Sequence, residues 1–279
     1  MEALPNANSI AYFDTSFHRT IPPHISSYAI RQDIAKKRGL QKYGFHGLSY
    51  TYILHAVTVF LHQEPAATNL IVLHLGSGAS MCAIRAGKSL DTTMGLTPLN
   101  GLPGATRSGA VDPSLIFHYT NRAGRISHDR SLAVNVHVTQ AEDILNKHAG
   151  WAALTGTTDF GEIVRQMRAV EERRAAGEAV GEEEGKWKLA FDLFVDRVIG
   201  YVGSYFAKLG GEVDALVFSG GIGERSVELR EEVGVDGADG VVVDIGTSKD
   251  KKRVLVCRTD EQLEMAKECA LSEKFWRRN

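Results

Sequence analysis

Residues 69–85 read NLIVLHLGSGASMCAIR, and this stretch decides the fold class. Its first seven residues form a nearly continuous apolar run, which is typical of a strand buried on both faces of a sheet. The Gly-Ser-Gly turn at 76–78 leads into a second apolar run, and Ala86 and Gly87 turn the chain again into KSLDTT. This alternation of apolar runs and glycine turns predicts a hairpin that follows a buried strand.

Outward from this stretch, two further strands are each followed by a helix pattern. DALVFS at 214–219 precedes GGIGE and SVELREEV, and RVLVC at 253–257 precedes TDEQLEMAKECA, where Thr259 or Asp260 can cap the helix. An earlier β-rich segment, Ser9 to Phe13, is predicted to be a strand that ends before an aspartate. The order strand, glycine loop, helix indicates an α/β fold with ligands at the carboxyl ends of strands.

The longest predicted helix runs from Trp187 to Leu209, and the glycines at 210 and 211 stop it. Its apolar residues recur every three or four positions, which predicts a core-facing stripe. The preceding segment, 171–186, is charged and interrupted by glycines, so we expect a mobile surface connection.

Composition narrows the classes of function. The chain has 279 residues, 34 acidic against 32 Lys plus Arg, and a net charge of -2, so no nucleic-acid partner is expected. The length favours one large domain or two ordinary ones. Three cysteines without a CxxC pair suit a reducing compartment, and neither a signal peptide nor a membrane-spanning run is recognisable. A cytoplasmic protein without a membrane partner is expected.

Four motifs could carry chemistry, and each also has a purely structural explanation. YGFHG holds His46, which could equally be a structural histidine. LHLGSGAS at 73–80 could cradle phosphate with backbone N-H groups or form a plain hairpin turn. GATRSGAVDP holds Arg107, a planar fork for phosphate or carboxylate, although its Asp112 could simply cap a helix. FSGGIGERS at 218–226 places glycines before a helix start but matches neither a Rossmann nor a P-loop pattern.

In this order, and together with FDTSFH at 13–18 and TDEQL at 259–263, the motifs are more specific than any one of them. The sequence resembles the acetate kinase family from about Ser9 to Ala270, in blocks that include KYGFHGLSY, NLIVLHLGSGAS, GKSLDTTMGLTPLNGL, ALTGTTDF and DALVFSGGIGE. The resemblance implies an actin-like, ribonuclease H-like ATPase fold. Residues 18–261 would form the second, nucleotide-binding and dimerisation domain, and 1–17 with 262–279 would be remnants of the first.

The activity that the resemblance implies is reversible phosphoryl transfer from ATP to acetate, giving acetyl phosphate and ADP, with Mg²⁺ as cofactor. Acetate is ionised at pH 7, so it attacks without a general base, and catalysis reduces to positioning and charge neutralisation. The implied catalytic residues are Asp14, His46 and Arg107, and Glu261 would serve the metal through water. The implied nucleotide-binding residues are His74, Gly76, Ser77, Gly78, Asp159, Phe160, Gly221, Ile222 and Gly223.

The chain departs from the family pattern at several positions. The family usually has Asn at the positions of Ser77 and Arg225, Arg at that of Gly161, and often His at that of Tyr50, and the connection at 234–252 looks short. Family members also open with a domain-scale stretch that carries a phosphate hairpin, a substrate-binding arginine and a histidine, and these motifs are not found in the chain. We therefore expect a truncated or fragmentary form with little activity on its own.

Two alternatives to an acetate kinase stay open. The first is a relative that uses propionate, butyrate or a different phosphoryl donor. The second is a non-catalytic nucleotide-binding or dimerising module. In either case the family resemblance implies a homodimer through the second domain, and the last helix is expected to expose Leu263, Ala266 and Leu271.

Overall fold

The computed structural model describes residues 10–119, 139–233, 242–244 and 253–271. Its strands are β1 (Leu70–His74), β2 (Ser80–Arg85), β3 (Lys88–Thr92), β4 (Ala215–Ser219), β5 (Val242–Asp244) and β6 (Arg253–Cys257). Its helices are α1 (Pro23–Ser26), α2 (Gln32–Arg38), α3 (Gly47–Leu61), α4 (Leu115–Tyr119), α5 (Gln140–Lys147), α6 (Gly150–Thr155), α7 (Phe160–Ala175), α8 (Gly185–Lys208), α9 (Gly220–Arg225), α10 (Val227–Glu232) and α11 (Glu261–Leu271).

The strands form one mixed sheet in the order β3-β2-β1-β4-β6-β5. β1, β2 and β3 are antiparallel neighbours, so the hairpin predicted after the first buried strand is confirmed. β4 pairs parallel with both β1 and β6, and β5 pairs antiparallel with β6. β1 and β4 therefore end at the same edge of the sheet, which brings the loops after them together.

β1 is buried on both faces, as its apolar run predicts. Ile71 and Leu73 belong to the core that the sheet forms with α6, α7 and α8, whereas Leu70 and Val72 belong to the core on the α3 side. Alternate side chains of a strand point to opposite faces, so a single apolar run serves both layers. The result is a sheet between two helical layers.

α8 is the long predicted helix, and Phe191, Phe194 and Val198 on its core stripe are buried. The helix is followed by Gly210 at φ 69° and Gly211 at φ 75°, left-handed conformations that stop a helix and that glycine adopts without a steric penalty. Both expectations are confirmed.

The connection before α8 is more ordered than its composition predicts. Residues 171–175 form the last turn of α7, and Glu182–Glu184 form a 3₁₀ helix. Arg173, in the last turn of α7, forms ion pairs with Glu178 at 3.2 Å and with Glu184, the residue before α8. These ion pairs connect the end of α7 to the start of α8. The predicted surface connection over 171–186 lies at the surface, since its side chains are mostly exposed, but it is helical at both ends.

The strand predicted before Asp14 is also absent from the described residues. Residues 10–13 are irregular and pair with no described strand, and Ser16–Thr20 form a 3₁₀ helix. Phe13 is 64% exposed, so its apolar character does not reflect burial here. A strand needs a neighbour with free backbone groups, which local sequence does not specify.

The last helix, α11, begins as predicted, with the N-H of Leu263 donating to Oδ1 of Asp260 at 2.8 Å. Leu263 and Leu271 are exposed, and so is Ala266, in line with the prediction. The side chain that α11 buries is instead Glu264, which bonds His55 of α3 at 3.1 Å. Most of 234–252 and all of 272–279 lie outside the described residues.

The part of the chain that the structure describes has no helix long and apolar enough to cross a bilayer. Cys82, Cys257 and Cys269 form no disulfide with one another.

Candidate active site

Two glycine loops meet beyond the carboxyl ends of β1 and β4. Leu75, just after β1, donates its N-H to the carbonyl oxygen of Ser219 at 2.8 Å, and its own carbonyl accepts from the N-H of Ile222 at 2.8 Å. Gly220 has a φ of +76°, and a Cβ there would lie 2.6 Å from the Leu75 carbonyl oxygen, so only glycine fits. The loops predicted from LHLGSGAS and FSGGIGE are thus in contact.

The GFHG motif enters this site as the N-terminus of α3. His46 has a φ of 61°, which is uncommon for a residue with a side chain. Its N-H donates to Oδ2 of Asp14 at 2.6 Å, and the N-H of Gly47 donates to the Asp14 carbonyl at 2.8 Å. Asp14 therefore holds the turn that presents the histidine.

His18 also stabilises this turn. In the sequence it is part of the FDTSFH block, but no role was predicted for it. Its Nδ1 lies 2.8 Å from Oγ of Ser89, and its Nε2 lies 2.9 Å from the carbonyl oxygen of Phe45. Burial lowers the pKa of His18 to about 4, so the ring is neutral at pH 7. A neutral ring satisfies both partners with one donor and one acceptor.

The His46 side chain bonds Ser80 at the start of β2, with Nδ1 and Oγ 2.8 Å apart. Burial lowers the pKa of this imidazole, the nearby carboxylates of Asp14 and Glu261 raise it, and Arg107 lowers it again. The net shift is downward, so His46 is neutral at pH 7 and keeps one N-H to donate.

His74 lies edge-on to His46, with ring centroids 4.9 Å apart. Its Nε2 is 3.3 Å from Oγ of Ser49, which in turn donates to Oε1 of Glu261. Burial lowers the pKa of His74 to about 3, and its buried Nδ1 has no partner among the described residues. Ser49, three residues after His46 in the same sequence block, was not predicted as a site residue.

Arg107 brings a cation to this cluster. It forms no ion pair with any residue that the structure describes, and burial lowers the pKa of its half-buried guanidinium, which remains charged. A Cβ on Gly78 would collide with that guanidinium, so the glycine permits the close approach. The N-H of Ala105 donates to the carbonyl of Ser77 at 2.8 Å. This hydrogen bond connects the loop that carries Arg107 to the glycine loop at 76–78.

A cavity of about 580 Å³ opens beside the two glycine loops, between α7 and the α9–α10 segment. Six of the predicted nucleotide residues line it: Gly76, Ser77, Asp159, Phe160, Gly221 and Ile222. His74, Gly78 and Gly223 do not line it. Sequence reasoning missed other lining residues, among them Trp151, Thr158, Val164, Arg165, Ser226 and Glu228.

Three of the predicted nucleotide-binding residues, Asp159, Phe160 and Gly223, also have structural roles. Asp159 caps α7 by accepting the N-H of Gly161 at 2.9 Å, yet its side chain stays 63% exposed. Phe160 is 5% exposed and packs edge-on against Trp151, so it offers the cavity little surface. Gly223 is buried, and its N-H donates to the Leu75 carbonyl at 3.2 Å, so that amide is unavailable to a ligand.

The sheet order, the two glycine loops at one sheet edge and the cavity beside them define an actin-like ATPase fold. The acetokinase family model matches residues 1–267. The chain belongs to the acetokinase family.

Individual relatives agree with this assignment. The chain is 50% identical to a probable acetate kinase of Emericella nidulans over 97% of its own length, and 49% identical to one of Neurospora crassa over 99%. It spans 65% of the length of each. A crystal structure of Porphyromonas gingivalis acetate kinase superposes with a TM-score of 0.80 at 30% identity, covering 99% of this chain and 66% of that one. The crystal structure of a propionate kinase from Francisella tularensis superposes with a TM-score of 0.74 at 35% sequence identity, covering 96% of this chain and 65% of that one.

Proposed function

We propose that the chain takes part in reversible transfer of the γ-phosphoryl group of ATP to acetate, giving acetyl phosphate and ADP. One observation carries the proposal: His46, Arg107 and Asp14, from three separate sequence blocks, converge in a member of the acetokinase family, and Arg107 lies against the 76–78 loop, whose Gly76 and Ser77 line a ligand-sized cavity. The chain spans about two thirds of its relatives, so the activity of the whole relatives is proposed here from this convergence.

The cavity and the glycine loop at 76–78 support a position for the nucleotide. A volume of about 580 Å³ lies in the range of small-ligand sites. Adenosine would lie between α7 and α9, and its phosphates would point along Gly76 and Ser77 toward Arg107. Arg225 lines the same cavity and forms no ion pair with a described residue, so it can supply the positive charge that the family usually places at the position of Gly161. Arg165 also lines the cavity, but it already pairs with Glu162 at 2.5 Å and Asp159 at 3.4 Å.

The reacting groups need charge neutralisation more than acid-base chemistry. The acetate carboxylate is already a nucleophile at pH 7, and Arg107 offers a planar fork to its oxygens or to those of the phosphoryl group. Neutral His46 donates one N-H to the phosphoryl group as it moves between the two oxygens. Asp14 keeps the histidine turn in place through its backbone.

The acidic residues at the site suit a magnesium ion. Mg²⁺ is usually bound through one or two carboxylates together with waters and substrate phosphates. Asp14 and Glu261 both act on the pKa of His46, so two carboxylates face this region, and Oδ1 of Asp14 makes no hydrogen bond to a described residue. When bound, the ion would neutralise charge on the phosphate oxygens.

A second carboxylate is a reasonable substrate because a structural relative at 35% identity is a propionate kinase. Hydroxamate formation from MgATP with acetate, propionate or butyrate tests the proposal and ranks the acceptors. We expect the highest kcat/KM with acetate. Preference for propionate or butyrate would identify the second candidate, and nucleotide binding without hydroxamate from any acceptor would identify a non-catalytic module.

We also propose that the chain is a cytoplasmic homodimer. The three cysteines form no disulfide with one another, which supports the compartment. Leu189, Ile199 and Phe206 on α8 are 55%, 47% and 41% exposed, and this apolar surface on the 18–261 domain supports the interface. Several aromatics of α8 lie in the protomer core instead, so they do not contribute to it.

A further inference from the structure

A chain of hydrogen bonds leads from the core to the His46 imidazole. Oη of Tyr50 makes a short hydrogen bond to Oγ of Ser80, and the same Oγ lies 2.8 Å from Nδ1 of His46. Tyr50 and Ser80 are both fully buried. Neither residue is among the site residues predicted from the sequence.

The protons in this chain have a preferred direction. The phenol of Tyr50 is a stronger hydrogen-bond donor and a weaker acceptor than a serine hydroxyl, which favours donation from Oη of Tyr50 to Oγ of Ser80. Thr92, whose hydroxyl also bonds Tyr50, donates its own proton to the Met81 carbonyl at 3.0 Å. A serine hydroxyl has one proton, and if it accepts from Tyr50 it can give that proton to His46. Nδ1 of His46 is then an acceptor, and the single ring proton lies on Nε2.

We propose that Tyr50 and Ser80 are positioning residues that hold His46 in its Nε2-H tautomer. This tautomer leaves the N-H on the ring nitrogen that does not face Ser80, where it can donate to a phosphoryl oxygen. The tautomer claim concerns the free protein, whereas its catalytic consequence rests on the proposed function.

The two positioning residues belong to rigid elements. Tyr50 lies one turn beyond His46 on α3, and its N-H donates to the His46 carbonyl at 3.0 Å. The rings of Phe17 and His18 pack against the Tyr50 ring at centroid distances of 6.2 and 5.6 Å. Ser80 begins β2 and pairs with His74 of β1. A hydroxyl held this firmly fixes the orientation of the imidazole.

NMR of the 279-residue protein with ¹⁵N-labelled histidine tests the tautomer directly. The His46 signals are assigned as those missing from His46→Gln. We expect an unprotonated Nδ1 and a protonated Nε2 in the wild type, and a mixture of tautomers in both Tyr50→Phe and Ser80→Ala. Both changes only remove atoms, so the fold should persist, and thermal unfolding checks this.

Tyr205→Phe is the matched control because Tyr205 is also a buried tyrosine, and its hydroxyl has no partner among the described residues. Its His46 spectrum should match the wild type. An Nδ1-H tautomer in the wild type, or a wild-type spectrum in Tyr50→Phe, would overturn the proposal. These spectra require no turnover, so failure of the proposed function would not obscure them.

In the kinase assay, we expect Tyr50→Phe and Ser80→Ala to lower kcat about tenfold or more with little change in the KM for ATP, as for an interaction made mainly in the transition state. Unchanged kcat together with mixed tautomers would show that the hydrogen-bond chain fixes the ring without serving transfer, which contradicts the catalytic part of the proposal.

Discussion

Asp14 accepts a hydrogen bond from the backbone N-H of His46 at 2.6 Å, across 32 positions of sequence. The contact stabilises a histidine whose φ of 61° is otherwise unfavourable, and it uses one carboxylate oxygen, Oδ2. Asp14 therefore has a structural role besides the catalytic one that the family resemblance implies. Its replacement would disturb the histidine turn as well as any metal, so Asp14 variants cannot separate the two roles.

Gly221 offers a cleaner test of the nucleotide cavity. It lines the cavity, and a Cβ added there meets nothing within 4 Å, so Gly221→Phe should fold and place its ring in the cavity. We expect the Kd for MgADP, measured by calorimetry, to rise at least about tenfold, since that corresponds to about 1.4 kcal/mol of lost contact. Gly200→Phe on α8, which also has open space, is the control. Equal affinity in the two variants would place the nucleotide elsewhere.

His18 predicts a dependence of stability on pH. Its pKa is about 4 in the folded protein against an ordinary value near 6.5, so the unfolded chain binds the proton more readily between these values. The contribution of neutral His18 to the free energy of unfolding is therefore fully present above pH 6.5 and decreases as the pH drops toward 4. From pH 7.5 to pH 5, His18 alone should account for a loss of about 2 kcal/mol in the free energy of unfolding.

The His18→Gln variant isolates this contribution because glutamine can keep both hydrogen bonds but does not titrate. Urea unfolding at the two pH values should show a smaller loss in His18→Gln than in the wild type, by about 2 kcal/mol. His24→Gln, at an exposed histidine, should behave like the wild type. If His18→Gln and the wild type lost the same free energy, the buried ring would not be the source.

Sedimentation equilibrium at micromolar concentration tests the homodimer. We expect twice the protomer mass of 30.5 kDa for the wild type and a shift toward the monomer in Ile199→Asp, which puts a charge on the exposed face of α8. Val59→Asp, at a residue of α3 that is 75% exposed on the other side of the sheet, is the control. A clean monomer for the wild type would refute the dimer.

Much of the fold was predictable because its strands are apolar runs that end at glycines, as at Gly76 and Gly220. Two features were not predictable, because they depend on partners distant in sequence. Residues 10–13 lack a described strand to pair with, and α7 extends into the charged segment, where Arg173 pairs with Glu184 eleven positions further on. Neither feature can be predicted from local composition.

The candidate site likewise has residues that the sequence predicted and contacts that it did not. Sequence motifs and family resemblance indicated His46, Arg107 and six of the residues that line the cavity, because glycines and isolated charges mark ligand loops. The hydrogen bonds of His18, Ser49 and Ser80 join distant segments, so no local pattern predicted them. These are buried polar contacts, which tertiary packing alone creates.

Formation of ATP from MgADP and acetyl phosphate, followed by luciferase, tests the central claim most directly. We expect slow ATP formation by the 279-residue protein, in line with the little activity expected of it, and a kcat lower by about 10² to 10³ in Arg107→Ala, as for removal of one positioned donor. Arg31→Ala, at an exposed arginine paired with Asp33, should match the wild type. Absence of ATP above the blank from the wild type, or an unchanged kcat in Arg107→Ala, would contradict the account.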